Sequence, residues 1–378
     1  MFPITEEISN NVLEVGQNGS SSQFLLPKRT YSFRPPYCAG EVDGIKVGSW
    51  GLRQQAAAIK HLVRDSSLHD QGRLSYFMAM KLTQIDMGKH ETQKVPSPGR
   101  CIYCGSTDEL TDEHVIPFAL AANSVVYLDA SCKACAAIIQ PYEQDVLRKQ
   151  LGVFRAQVDA PTRNKKARIK DVDIHFVEVD DMGRQIRDLG FRNFPVAALP
   201  LTLNLWQLPE ARILRPDAVA GDDHGRAWSF TEMAVADRIN RSVAQETGSK
   251  HVAMKLGDVN RSNFLRFLAK TAHAFAVMTV DPDSFRPFLT DLILKRSDDL
   301  TQFVGGGFPA APHEVDPAHT TLLSLGSPDA GPAKGLIAIR LQFWHELKTP
   351  AYIVIVGEPI RPLDEIFGEP ADRDELRE

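Results

Sequence analysis

The chain has 378 residues, 43% hydrophobic and 24% charged, with a formal net charge of −5. That composition describes a globular protein with room for two or three domains, and the acidic balance argues against a surface coated in basic residues for nucleic acid. Five cysteines are too few and odd in number for a disulfide framework, so a reducing compartment is expected.

No apolar run approaches the roughly 18 to 20 residues of a membrane span. The first residues, MFPITEEISNN, have neither the basic region nor the apolar core of a secretory signal. A cytoplasmic location without a membrane partner is therefore expected. The first 170 residues are slightly basic, with 21 Lys and Arg against 17 Asp and Glu, and the remainder is acidic. Screening confines fields to about 10 Å, so a local basic face can still hold phosphates.

Residues 1–96 read as a partly disordered, then helical, N-terminal region. GQNGSSSQ is linker-like, and two helices are expected, one striped by Ala57, Ile59, Leu62 and Val63, the other by Leu74, Phe77, Met78, Met80 and Leu82. VPSPGR at 95–100 marks a boundary, because its prolines stop a helix. A cysteine module follows over 97–158. It leads into a helical stretch through Tyr142, Val146, Leu147, Leu151 and Phe154, in which Pro141 is tolerable only near the start.

Residues 159–378 are expected to form a C-terminal α+β domain. Beyond the basic patch RNKKARIK at 163–170, Val172, Ile174 and Phe176 alternate with polar neighbours, DDMG can turn, and LPLTLNLW alternates again. Helices are expected over 260–278 and 283–296. On the first, Arg266, Lys270 and His273 are read as the polar side opposite Phe264, Leu268 and Phe275. VGGGFPAAPHEVDP reads as a loop. GLIAIRLQFW and AYIVIVGE, joined by HELKTP, read as a hairpin.

The chemistry concentrates in CIYCGSTDELTDEHVIPFALAANSVVYLDASCKAC, with Cys101, Cys104, Cys132 and Cys135 spaced C-x2-C-x27-C-x2-C. Each CxxC pair can put two sulfurs about 2.3 Å from one ion, and two pairs complete a tetrahedron. Structural Zn²⁺ is expected. Four thiolates leave no open coordination position, so such an ion does no chemistry.

Between the knuckles lies TDEHVIP, with an acidic residue directly before a histidine. This arrangement resembles the HNH endonuclease family, whose ββα-metal motif is often braced by such a zinc, and SCKAC entering a helix with YEQDVLR looks like a bacterial subgroup of it. The resemblance covers about residues 101–155. It implies a module set between the helical N-terminal region and the C-terminal α+β domain. It also implies a motif on a tight loop between two strands, His114 as the base that activates water, and Glu113 as ligand of a catalytic Mg²⁺ or other divalent metal. The expected activity is hydrolysis of phosphodiester bonds in DNA or RNA.

One position departs. Where the family places Asn or His after the second knuckle, this chain has Ala136, which cannot ligate. Glu143 is a candidate substitute if Pro141 shifts the helix start. Arg148 and Arg155, seven apart on one helical face, are candidate phosphate contacts. Ala136 also motivates an alternative: a catalytically degenerate, zinc-stapled module that binds nucleic acid or protein. In either case the acidic C-terminal half is expected to supply target selection, homo-oligomerisation or a protein contact.

Overall fold

A computed structural model of the chain describes residues 93–120, 125–160, 162, 168–215, 223–255, 257, 259–309 and 321–367. The two helices expected in the N-terminal region and the first part of the basic patch lie outside the described residues. What is described is a mixed α and β architecture built on open sheets.

The cysteine region carries a three-stranded sheet of β1 (Gln93–Pro96), β2 (Leu110–His114) and β3 (Val125–Cys132), in the order β1-β3-β2. VPSPGR is thus not a bare boundary: Val95 and Pro96 finish a strand parallel to β3. β2 runs antiparallel to β3. Helix α1 (Lys133–Gln144) leaves the end of β3 at once, with Cys132 as its N-cap. Pro141 was expected near a helix start, yet it sits inside α1. A π-helical stretch, Asp145–Gln150, and the short α2 (Gly152–Gln157) then replace the single continuous helix suggested by the periodicity. The apolar stripe itself holds: Tyr142, Val146, Leu151 and Phe154 are all buried.

β4 (Asp171–Val179) is the expected strand and turns at DDMG, where Gly183 donates its N–H to Asp180 O at 3.0 Å, into β5 (Gln185–Pro195), a strand the sequence reading did not name. β6 (Thr202–Gln207) pairs with β7 (Arg226–Thr231). Helix α3 (Met233–Thr247), which the sequence reading missed, buries Ala236, Ile239 and Val243 against Ile174, Phe176 and Met254. β8 (Val252–Lys255) adds to the other edge of β4.

Helix α4 (Arg261–Thr279) starts where the Asn260 side chain accepts from the Asn263 N–H at 3.1 Å. It packs on a five-stranded sheet of β9 (Phe285–Pro287), β10 (Val304–Gly307), β11 (Thr321–Gly326), β12 (Ile337–Phe343) and β13 (Ala351–Pro359), ordered β10-β13-β12-β11 with β9 also on β13. β12 and β13 are the expected hairpin. They are rich in β-branched and aliphatic residues, and β13 is buried from Ala351 to Gly357, as a strand covered on both faces requires. The helix expected over 283–296 shrinks to α5 (Thr290–Ile293), since Phe285–Pro287 pairs as a strand and Pro287 has no N–H to give a helix. A last short helix is α6 (Leu363–Phe367).

One reading of polarity is corrected. α4 has no polar side: Arg266, Lys270 and His273 are 4%, 1% and 0% exposed, and the helix is buried from Phe264 to Val277. It is a core helix, shared by the cysteine region and the large sheet. One continuous apolar core runs from Cys101, Tyr103 and Ile139 through Phe264, Leu268 and Phe275 to Ile339 and Val354.

The start of the glycine-rich segment is likewise no loop, because Val304–Gly307 pairs with β13. Glycine is required there for space. A Cβ on Gly305 would fall on the Ala211 amide, and one on Gly306 on the Leu208 carbonyl oxygen. Backbone cannot rotate out of the way as a side chain can. Gly305→Ala is expected to cost about 3 kcal/mol or more by overpacking, read as a lower denaturant midpoint at unchanged m-value. A midpoint within error of wild type would contradict this packing.

Candidate metal centre and cleft

Four sulfurs converge. Cys101 and Cys104 lie on a turn after β1, closed by Gly105 N–H to Cys101 O at 2.8 Å. Cys132 ends β3 and Cys135 sits in the first turn of α1, where its N–H points at Cys132 Sγ from 3.5 Å. All four Sγ atoms lie within 4.8 Å of one another, and the Cys104–Cys132 separation is 3.6 Å. A disulfide needs about 2.05 Å, whereas sulfurs placed tetrahedrally about 2.3 Å from a zinc ion stand about 3.8 Å apart. The cluster could therefore bind a metal ion such as zinc. Three of its cysteines are buried.

The remaining candidates share one cleft of about 850 Å³, lined among others by Glu113, His114, Ala136, Glu143, Arg148 and Arg155. Sequence reasoning had placed Glu113 and His114 on a tight loop; they end strand β2 instead. Its ladder to β3 is irregular between Thr111 and Glu113, and Asp129 opposite is left-handed at φ 49°. That irregularity lets neighbours that would alternate across a regular strand line one cleft. Glu113 points inward and is 7% exposed, while His114 is half-buried near the Phe118 ring.

The deepest group in the cleft is one the sequence reading dismissed. Lys270 of α4 inserts its ammonium between Glu113 and Glu143. It pairs directly with Glu113 Oε1, stands 2.9 Å from Glu143 Oε1, and donates to the His114 carbonyl at 2.7 Å. An ammonium has three N–H donors, and here three oxygens surround it. Burial works to lower its pKa, but the Glu113 and Glu143 carboxylates outweigh that and raise it, so it stays charged. For Glu113, burial dominates and raises the pKa; Lys270 opposes this and the Glu143 charge adds to it.

Glu143 thus reaches the cleft without any shift of the helix start, since α1 begins at Lys133. Its carboxylate faces Lys270. Lys149, further along, pairs with Asp145 at 2.8 Å. Arg155 is turned inward, donating Nε to Ala119 O at 2.7 Å and Nη1 to Leu147 O at 2.8 Å, so it braces the wall. Arg148 is exposed at the rim. A signal for Lys270 did exist: α4 carries four basic or histidine side chains, no acidic one, and apolar residues on every face.

His273, one turn beyond Lys270, is fully buried and bonds Ile102 O through Nε2 at 2.8 Å, with its ring 5.6 Å from that of Tyr103. Nδ1 has no partner. Burial pushes its pKa down to about 4 against the carbonyl contact, so the ring is neutral and donates from Nε2. The lining of the cleft includes Asp112, Glu113 and Glu143 against Arg148, Arg155, Arg168 and Lys270, a balance of about one positive charge. No helix among the described residues is long and apolar enough to cross a membrane.

Comparison with protein families, curated proteins and solved structures finds no match to this chain.

Two outcomes follow from this geometry. The purified chain is expected to hold about one zinc-type ion, and Cys101→Ser or Cys135→Ser to drop that stoichiometry toward zero in elemental analysis. Full occupancy in either variant would place the ion elsewhere. His273 is protonated in the unfolded chain below its ordinary value of 6.5 but stays neutral in the folded one down to about 4. The unfolded state then holds the extra proton, so stability is present above 6.5 and is lost as pH falls through that window. The loss is about 3 kcal/mol. Denaturant titrations from pH 7 to 4 should show a shallower fall in His273→Gln than in wild type; parallel curves would refute it.

Proposed function

We propose that the chain is a nucleic-acid-binding protein built on a zinc-stapled HNH-type module that no longer performs metal-dependent cutting. The zinc would sit on the four thiolates as a closed, structural site. The cleft beside it would take the phosphate backbone, with Arg148 as the exposed contact and Arg155 and Arg168 adding positive field from the wall. The strand–strand–helix order from Leu110 to Gln144 is the order the HNH-type reading expects, and the convergence of the four cysteines supports a site for a metal ion such as zinc.

The observation that carries the loss of cutting is the Lys270 ammonium. The carboxylate that would hold a catalytic divalent ion, Glu113, and its would-be helper Glu143 both already face a cation. Ala136, which lines the same cleft, offers no further ligand.

A second reading keeps the site active as an endonuclease. His114, half-buried at the same cleft as Arg148, favours it, since a neutral imidazole there can take a proton from an attacking water. It requires Mg²⁺ or a similar ion to share Glu113 with Lys270.

One experiment separates them. Zinc-loaded wild type, His114→Ala and Arg148→Glu are incubated with supercoiled plasmid and with single-stranded RNA, in Mg²⁺, Mn²⁺ or EDTA, and binding is followed by anisotropy. The expected result is binding that weakens with salt and no cleavage by any variant. Arg148→Glu should bind more weakly, with a salt slope smaller by about one. Metal-dependent nicking that disappears in His114→Ala would replace the proposal by the second reading. No binding in any arm would overturn both.

A further inference from the structure

The Lys270 cluster has the layout of a cation site whose cation is covalently tethered. Three elements distant in sequence each present an oxygen to one point: Glu113 and the His114 carbonyl from the end of β2, and Glu143 from α1. Two of the three oxygens are carboxylate, so the oxygens alone carry two negative charges. In a cleft wall 7% exposed at Glu113, two such charges would repel strongly. Something cationic must stand between them. The ammonium does so, with Lys270 1% exposed at the position.

Hard divalent cations choose the same donors. Mg²⁺, Mn²⁺ and Ca²⁺ take carboxylate and carbonyl oxygens at about 2.0 to 2.6 Å. Ammonium contacts of 2.7 and 2.9 Å are only slightly longer. The oxygens would need to close by about 0.1 to 0.9 Å, depending on the ion, and the cleft can supply water for the rest of the shell.

We propose that Lys270 is a built-in replacement for a divalent cation, and that removing its side chain opens a site for one hard divalent ion on Glu113, Glu143 and the His114 carbonyl. The tether is permanent. α4 is buried from Phe264 to Val277 and belongs to the continuous core, so Lys270 cannot withdraw while that core stands. This rests on the reading above that the wild-type cleft uses no metal, but its test reads metal uptake and needs no nucleic acid.

Mn²⁺ is titrated into the full-length, zinc-loaded chain and free Mn²⁺ is followed by its paramagnetic resonance. Wild type should leave the signal of free Mn²⁺ essentially unchanged. Lys270→Ala should take up one Mn²⁺ per chain, at least tenfold more tightly, and Lys270→Ala/Glu113→Gln should lose it. Should Lys270→Ala fail to fold alone, Mn²⁺ is expected to restore its thermal transition. The uncharged Lys270→Met/Glu113→Gln/Glu143→Gln chain should fold without Mn²⁺ and take up none.

Equal Mn²⁺ uptake by wild type would overturn the proposal, as would a folded Lys270→Ala chain that takes up none. Uptake that persists in the Glu113→Gln double variant would do the same. So would an unfolded Lys270→Ala chain that Mn²⁺ does not rescue while the uncharged variant folds. Failure here, with nucleic acid bound and uncut by wild type, would leave the proposed function standing. Metal-dependent cutting by wild type would instead count against that function.

Discussion

A lysine ammonium buried to 1% exposure between two carboxylates is the constraint on which the cysteine region's position depends. Moving one such ion out of water costs several kcal/mol even after relaxation, and attraction compensates only where partners are close and every donor is used. The first condition holds at Lys270, whose ammonium has three oxygens close around it. Because its partners sit on β2 and α1 while the lysine sits on α4, the ion cluster is satisfied in one relative placement of the three elements. A slide of α4 by a single turn, about 5.4 Å, would strand all three charges.

The same helix face repeats the logic with weaker bonds. Asn263 reaches Asp145 Oδ2 at 2.7 Å, His273 reaches Ile102 O at 2.8 Å, and Tyr127 donates its hydroxyl to Val277 O at 3.2 Å. With Lys270 they run along α4 beside an apolar core that would tolerate several packings. Apolar contact drives the association, being non-directional and roughly proportional to area. The polar contacts choose among the arrangements that area alone would permit. Replacing them all with apolar groups need not weaken the protein, but it would remove the reason for this register.

How much of this was legible depends on the range over which each signal acts. The cysteine spacing and the β12–β13 hairpin are local patterns, and they emerged where they were expected, whereas the Glu113–His114 pair ends a strand and does not sit on a loop. α3 was missed because its buried face rests on only Ala236, Ile239 and Val243 within a polar stretch. β10 was taken for a loop because glycine was read as freedom, when Gly305 and Gly306 are glycines for lack of room against residues 208–211. Lys270 was assigned to solvent because its counter-charges are on other elements: 156 residues separate it from His114. No local period carries that information, and only the excess of cations on an otherwise apolar helix hinted at it.

Ala136 and Lys270 can be understood together on the proposed reading. A divalent ion on Glu113 would need further ligands, and alanine at 136 would then be a defect. If the cation is instead the end of a lysine side chain, its coordination is completed by three oxygens and its position by α4, so a ligand at 136 has nothing left to hold. The carboxylates are a different matter. Glu113 and Glu143 cannot be lost as freely as the ligand at 136, because each now balances a buried ammonium whose burial already works against its charge. The site therefore keeps the acidic half of a metal centre for reasons of folding, whether or not it still acts on a phosphate. Acidic residues beside a motif histidine are thus weak evidence for catalysis until the cation they face has been identified.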